Sequence, residues 1–365
     1  MTIREEGADP VQGAAPRMSP SEASRLGWVD VAKGICILMV VAMHSTLGVE
    51  KATGQASWMG TLVEFARPFR MPDFFLISGL FLSRVIDRDW RRFLDRRVVH
   101  FLYFYLLWLT IQFLFKAPGM AMEEGVGGAV REYLLAIFIE PFGTLWFIWM
   151  LPVFALVVRL TRRVPVPLML LAGAALEIAD VATGHVAIDE FAGRFVYFYA
   201  GYALARHVFG FARWTGAHRR IVLLLLVLWA LVEAVLVFSG WADVPGFSLA
   251  LGGAGALAVV AGATLLVGRR WAGEGLRFLG EHSIVVYLAF FLPMAAMRTL
   301  LLQTNVLPDV ALMALVTTVF AVFFSLAIWW ASRRFGLHFL FERPSWARID
   351  GARPVSAEAP LERSA

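Results

Sequence analysis

His44 is the side chain of this sequence best suited to moving a proton, and it lies in an apolar segment. The run 28–45 reads Trp28-Val29-Asp30-Val31-Ala32-Lys33-Gly34-Ile35-Cys36-Ile37-Leu38-Met39-Val40-Val41-Ala42-Met43-His44-Ser45 and is long enough to cross a bilayer. Imidazole alone among unperturbed side chains titrates near neutrality, so it suits removal of a hydroxyl proton. It can also carry a group covalently between two partners. Ionisable groups within a span are costly, and they tend to face a bundle interior or a wet cavity. Lys33 lies eleven residues before His44. At ~100° per residue that is three turns plus roughly 20°, so the two share a helix face, ~16 Å apart along the axis. One face thus offers a cation near one end and a base deeper in. Asp30, three residues before Lys33, can pair with it.

A second charged stretch covers 61–81 and contains Glu64, Arg67, Pro68, Arg70, Pro72 and Asp73. Glu64, Arg67 and Arg70 recur every three residues and can pair along one face. Pro68 and Pro72 withhold backbone donors, so the helix should kink or open there. An opened helix bearing charges is a common way to build a ligand site in a membrane. The plainer reading is snorkelling at the outer interface. A substrate cavity needs such groups and a plain anchor does not, which favours the site.

The elements that must position these residues follow from composition. The chain has 365 residues, 59% hydrophobic and 17% charged, with mean hydropathy +0.69. A soluble chain is nearer half apolar and a quarter charged, so the sequence reads as an all-α polytopic membrane protein. About ten apolar segments have spanning length, near 29–47, 62–83, 98–115, 143–160, 165–182, 191–207, 221–239, 247–268, 284–303 and 310–331. The segment 130–140 is too short to span and reads as an interfacial or re-entrant helix beneath the Pro141-Phe142-Gly143 break. Residues 1–27 read as a disordered tail, 28–335 as the membrane domain and 336–365 as a second tail. Arginines crowd alternate loops (84–97, 159–163, 206–220, 269–277 and 333–348), while the loops between them are nearly bare. Lys and Arg mark the cytoplasmic side, so both termini are expected there. This asymmetry also explains the net charge of +5, leaving no argument for nucleic acid. The single cysteine, Cys36, reads as a small buried residue.

Asp30-x-x-Lys33-Gly34 followed by ten residues and His44 resembles the opening motif of the membrane acyltransferase type 3 family. Phe69-Arg70-Met71-Pro72-Asp73-Phe74-Phe75-Leu76-Ile77-Ser78-Gly79 resembles that family's second-span motif. Arg91-Arg92-Phe93-Leu94-Asp95-Arg96-Arg97, Leu145-Trp146-Phe147 and Leu279-Gly280-Glu281-His282-Ser283-Ile284-Val285-Val286-Tyr287 resemble later ones. The resemblance covers about 25–335 and is closest to the sugar O-acetylase branch, similar to fucose O-acetylases. Lys33 stands where most of the family has Arg, Arg70 where that branch often has His, and Ala289-Phe290-Phe291 where a His often follows.

The resemblance implies transfer of an acyl group, acetyl first, from acyl-CoA to a hydroxyl of a glycan or lipid-linked sugar in a bacterial inner membrane. It implies no permanently bound cofactor and no metal. Lys33, with Arg96 and Arg97, would hold donor phosphates. His44 would be the base or the acyl carrier, with Glu64 or Asp73 orienting it. Arg67 and Arg70 would stabilise the oxyanion or grip the acceptor. Asp30, Trp146, Ser283 and Tyr287 join the substrate-binding candidates. Lys33, His44, Arg67 and Arg70 should then face one polar cleft. Glu177, Asp180 and Glu233 are equally readable as cavity-facing or structural intramembrane groups, and Trp146 also fits an aromatic belt. A transporter or flippase is the alternative class. Transporters often break helices at matching places in two halves, whereas here the charged, Pro-broken stretch is confined to the second span. A non-catalytic membrane partner is a third reading. ATPase, metalloprotease and dehydrogenase fingerprints are missing from the sequence.

Overall fold

The break at Pro68 shapes the fold around the first span. The computed structural model describes residues 20–141 and 143–349, with side chains from Gly27 onward. Helix α1 (Pro20–Thr53) runs unbroken through Lys33 and His44, whereas α2 (Trp58–Phe65) and α3 (Arg70–Gly79) are parted by a turn at 66–69. Ser57 caps α2, its hydroxyl accepting from Gly60 N at 3.3 Å. Pro72 falls in the first turn of α3, where a missing N–H leaves no bond unmade.

Short α4 (Trp90–Leu94) passes through a π-turn into α5 (His100–Phe138). Gly125, at φ 77° and ψ 165°, divides α5 into two arms. The second arm returns along the first: the Thr110 and Tyr133 hydroxyls lie 2.7 Å apart, and the Tyr105 hydroxyl donates to Ala136 O. Residues 130–140 are thus part of a returning arm. Phe142, in the break beyond it, lies outside the described residues. The chain continues through α6 (Trp146–Leu160), α7 (Val166–Ile178), α8 (Val186–Ala203), α9 (Ala205–Ala217), α10 (Arg219–Phe238), α11 (Phe247–Leu266), α12 (Ala272–Glu281), α13 (Ser283–Ala289), α14 (Phe291–Thr304) and α15 (Val310–Arg334).

Among the described residues every regular element is helical, and the chain is an all-α polytopic membrane protein. Five stretches are long and apolar enough to cross a bilayer: 27–53, 90–138, α10, α11 and α15. The pair α13–α14, bent by 53°, makes a sixth when taken as one broken span. The difference from ten has physical causes. The 62–83 segment is split at the Pro68 turn, α6 and α7 have only 15 and 13 residues, and α8 carries Asp189, Glu190 and Arg194. The bundle has two distinct ends. At the Lys33 end, Arg159 donates to Arg88 O at 2.6 Å, Arg97 donates to Phe81 O at 3.2 Å, and Arg162 pairs with Asp87 at 3.4 Å. At the other end, Glu140 accepts from Val186 N at 2.9 Å and Arg67 reaches Asp243. The arginine-rich loops therefore gather at one end.

Backbone contact fixes α1 to α12. A Cβ on Gly34 would sit 2.0 Å from Leu276 O, and one on Gly280 1.6 Å from Asp30 O. The same device joins α3 to α8, Gly79 lying against Phe198 O and Gly201 against Leu76 O. Small residues let helix backbones approach this closely.

Helix α1 starts at Pro20, so it takes in the end of the stretch read as a tail, and residues 1–19 lie outside the described residues. Beyond α15, residues 335–349 pack back on α5. The Trp108 indole donates to Leu340 O at 2.9 Å and Tyr103 to Phe339 O at 2.9 Å. Buried Asp95 receives Arg343 and, at 2.7 Å, Ile349 N. Residues 350–365 lie outside the described residues.

Candidate active site

Two of the cations read from the sequence share one cavity. A space of about 320 Å³ at the Lys33 end is lined by Lys33 and Cys36 of α1, Arg97 at the head of α5, and Ser283 and Tyr287 of α13. Its remaining walls are largely aromatic, with Phe74, Phe81, Phe101 and Phe147. Lys33 Nζ is held by Asp30 at 3.0 Å. Arg97 is fixed by its bond to Phe81 O, whereas Arg96 points out to solvent. A cation pair at the mouth of an aromatic sleeve can take an anionic head and an uncharged tail.

His44 lies one step beyond. The inner end of the cavity, at Cys36, is eight residues before it, ~12 Å along the helix. The half-buried imidazole packs on the Phe290 ring at 5.6 Å between centroids. Phe290 stands at the bend between α13 and α14, so that broken pair places an aromatic face on the base. Among the described residues neither ring nitrogen of His44 makes a hydrogen bond, which leaves both free for a substrate. Arg70 stands within electrostatic range of His44. Its Nη1 donates to Val63 O at 3.2 Å, while its buried Nε has no partner among the described residues.

Asp73 lies on the first turn of α3 and is fully buried. Neither carboxylate oxygen has a geometric hydrogen bond among the described residues, with Cys36 and Arg70 its polar neighbours. Buried carboxylates are almost always paired, so one left this way marks a functional position. Glu64 instead bonds Arg67 at 2.8 Å, and Arg67 spans to Asp243 at 2.6 Å. Asp243 lies in a loop outside the spans, and the hydrogen bond from Arg67 holds its carboxyl below the ordinary range. This pair stays ionised at neutral pH.

The single cleft expected for Lys33, His44, Arg67 and Arg70 is divided. Lys33 lines the cavity, His44 and Arg70 lie deeper, and Arg67 lines a separate pocket at the opposite end. The turn at 66–69 turns Arg67 outward to Asp243, away from α1. The Tyr287 ring lines the cavity, but its hydroxyl is used structurally, donating to Thr144 O at 2.5 Å and accepting from Ile148 N at 3.4 Å. Trp146 packs on Phe75 at 6.0 Å and is not a cavity wall. Sequence reasoning missed Cys36 as a wall beside Asp73, and Phe290 as the ring against His44. Cys36 had a signal, since eight and three residues separate it from His44 and Lys33, on the same helix. Phe290 had none, because its role depends on the bend.

A helical membrane bundle holding a base between an anion-gripping cavity and a second polar pocket defines a membrane enzyme of group transfer. Residues 26–334 match the family model described as "Acyltransferase domain". The chain belongs to this family and is an acyltransferase. It is 27% identical over 169 residues to the inner membrane protein YcfT of Escherichia coli K12, covering 40% of this chain and 46% of that one. It is 27% identical over 121 residues to the nodulation protein NolL of Mesorhizobium japonicum, covering 33% of this chain and 31% of that one. The matched stretches thus span less than half the length of either curated relative. No solved structure matches the chain.

Proposed function

We propose that the protein moves an acyl group, acetyl in the simplest case, from acyl-CoA to a hydroxyl of a glycan or lipid-linked sugar of the bacterial envelope. The observation that carries the reading is the cavity in which Lys33 and Arg97 stand at one end of an aromatic sleeve aimed along α1 toward His44. Donor phosphates fit the two cations, and the uncharged pantetheine arm fits the aromatic walls. The Phe74 and Phe147 rings, 4.6 Å apart, must part for the thioester to travel on to His44.

At the reacting centre His44 takes the acceptor hydroxyl's proton as that oxygen attacks the thioester carbonyl. Arg70 balances the oxyanion that develops. Collapse breaks the carbon–sulfur bond, and the departing thiolate takes the proton back from the imidazolium. The products are an ester and free CoA. Asp73, beside Arg70, keeps that cation directed at the centre.

Cytoplasmic acyl-CoA requires the arginine-rich, Lys33 end of the bundle to face the cytoplasm, in an inner membrane such as that named for YcfT. In a Cys36→Ala background, a cysteine at position 184 should react with an impermeant thiol reagent from outside and one at 218 should not. Reversed reactivity would sink this orientation.

Mass spectrometry of envelope glycans tests the function. Deletion of the gene should remove one acyl mass from a glycan, and the wild-type chain should restore it. An acyl pattern unchanged by deletion would refute the proposal.

A further inference from the structure

The second pocket, about 340 Å³, opens at the end of the bundle opposite Lys33. Arg67 reaches it from the turn before α3, Glu177 from the end of α7, Glu190 and Arg194 from the start of α8, and Asp243 and Ser248 from the loop and helix around 243–248. Most of these charges are already matched. Arg67 bridges Glu64 and Asp243, and Arg194 pairs with Glu190 at 3.2 Å. Asp189, also on the wall, accepts from Thr183 N and Oγ1, both at 2.8 Å, and from Gly184 N at 3.0 Å.

Glu177 is different. It is only 8% exposed. Its Oε1 receives a long 3.5 Å bond from the Tyr197 hydroxyl, and its Oε2 is buried with no partner among the described residues. Leaving a buried acceptor unpaired costs about 1–3 kcal/mol, more when charged, so such an atom asks for a donor from a ligand. The ion pairs around it hold donors and acceptors in fixed alternation, which matches adjacent hydroxyls on a ring. Glu177, Asp180, Asp189, Glu190 and Asp243 outnumber Arg67 and Arg194 on the wall. That negative excess rejects phosphates and carboxylates by repulsion.

The pocket also adjoins the reacting centre. Arg67 and Arg194 lie within electrostatic range of Arg70, which in turn acts on His44. The donor cavity approaches from the other end of α1.

We propose that this pocket is the acceptor subsite and that it selects an uncharged pyranose ring, with Glu177 Oε2 accepting a ring hydroxyl and Tyr197 holding Glu177 in place. The proposal rests on the acyl-transfer reading above for the word acceptor. Sugar binding, however, can be measured without any turnover, so the two fail separately.

Saturation-transfer NMR on the full chain in lipid nanodiscs provides the test. The probes are the methyl pyranosides of glucose, galactose and mannose, and methyl glucuronide as the anionic counterpart. At least one neutral glycoside should bind saturably, and the glucuronide at least about tenfold more weakly. Glu177→Leu should weaken the neutral sugar at least about tenfold. Glu177→Gln, which keeps the side chain's shape, should weaken it by about three- to tenfold. Tyr197→Phe should cost a few-fold. No saturable binding of any neutral probe, equal or tighter binding of the glucuronide, or wild-type affinity in both Glu177 variants would overturn it. Acyl-CoA binding, followed in the same sample, reports on the donor reading alone.

Discussion

Gly280→Ala is expected to remove most of the folded protein from membrane extracts. The added methyl would lie 1.6 Å from the carbonyl oxygen of Asp30, with the next contact, the Asp30 carbonyl carbon, at 2.5 Å. Both are backbone atoms, so no side chain can swing away. Helices α1 and α12 must separate, and they do so along a seam where Gly34 meets Leu276 O in the same manner. Overpacking a core costs typically about 1–3 kcal/mol, and a backbone clash of this depth belongs at or above the upper end. Against a total stability of about 5–15 kcal/mol that is a large share. Gly275→Ala is the matched control, because nothing lies within 4 Å of a Cβ there. Thermal unfolding in detergent, followed by monodisperse elution, compares the two. Equal midpoints would show that the seam is not close-packed and that α1 is positioned some other way.

The seam links the fold to the site. Helix α1 presents Lys33 and His44 on one face, and α12 leads through His282 into α13, which supplies Ser283 and Tyr287. The glycines of both recognised motifs are therefore packing residues, and the residues beside them line the cavity. This much was legible in the sequence, because an eleven-residue spacing on a helix is fixed by helix geometry alone. The opened helix at Pro68 was legible for the same reason, since proline acts locally. The second pocket was not. Glu177, Arg194 and Asp243 are 17 and 49 residues apart in the chain, and only packing at one end of the bundle joins them. The return of residues 335–349 onto Asp95 was equally hidden, since its partner lies 248 residues away from Arg343. The number of spans was overcounted where apolarity is high but the helix is short, as in α6 and α7. A hydropathy window registers the apolarity and not the turn that ends the helix.

His44→Ala should abolish acyl transfer while leaving the protein folded. The imidazole makes no hydrogen bond among the described residues, so its loss orphans no partner, and only the contact with Phe290 is given up. Alanine is well tolerated in a helix. What disappears is the proton acceptor, and a positioned base contributes about 10²- to 10⁴-fold to rate. Lys33→Ala makes the contrast. It removes a cation ~16 Å from the chemistry, so the donor KM should rise with kcat nearly intact. Lys33→Arg keeps the charge and adds a planar fork for phosphate, and should match the parent or exceed it.

These differences converge on one assay. Purified parent and His44→Ala proteins are given radiolabelled acetyl-CoA and, as acceptor, glycan extracted from the envelope of the deletion strain. Label entering the glycan is followed under multiple turnover. The account predicts saturable transfer by the parent and a kcat at least about 100-fold lower for His44→Ala, with donor binding retained. Transfer by His44→Ala at the parental rate would contradict it.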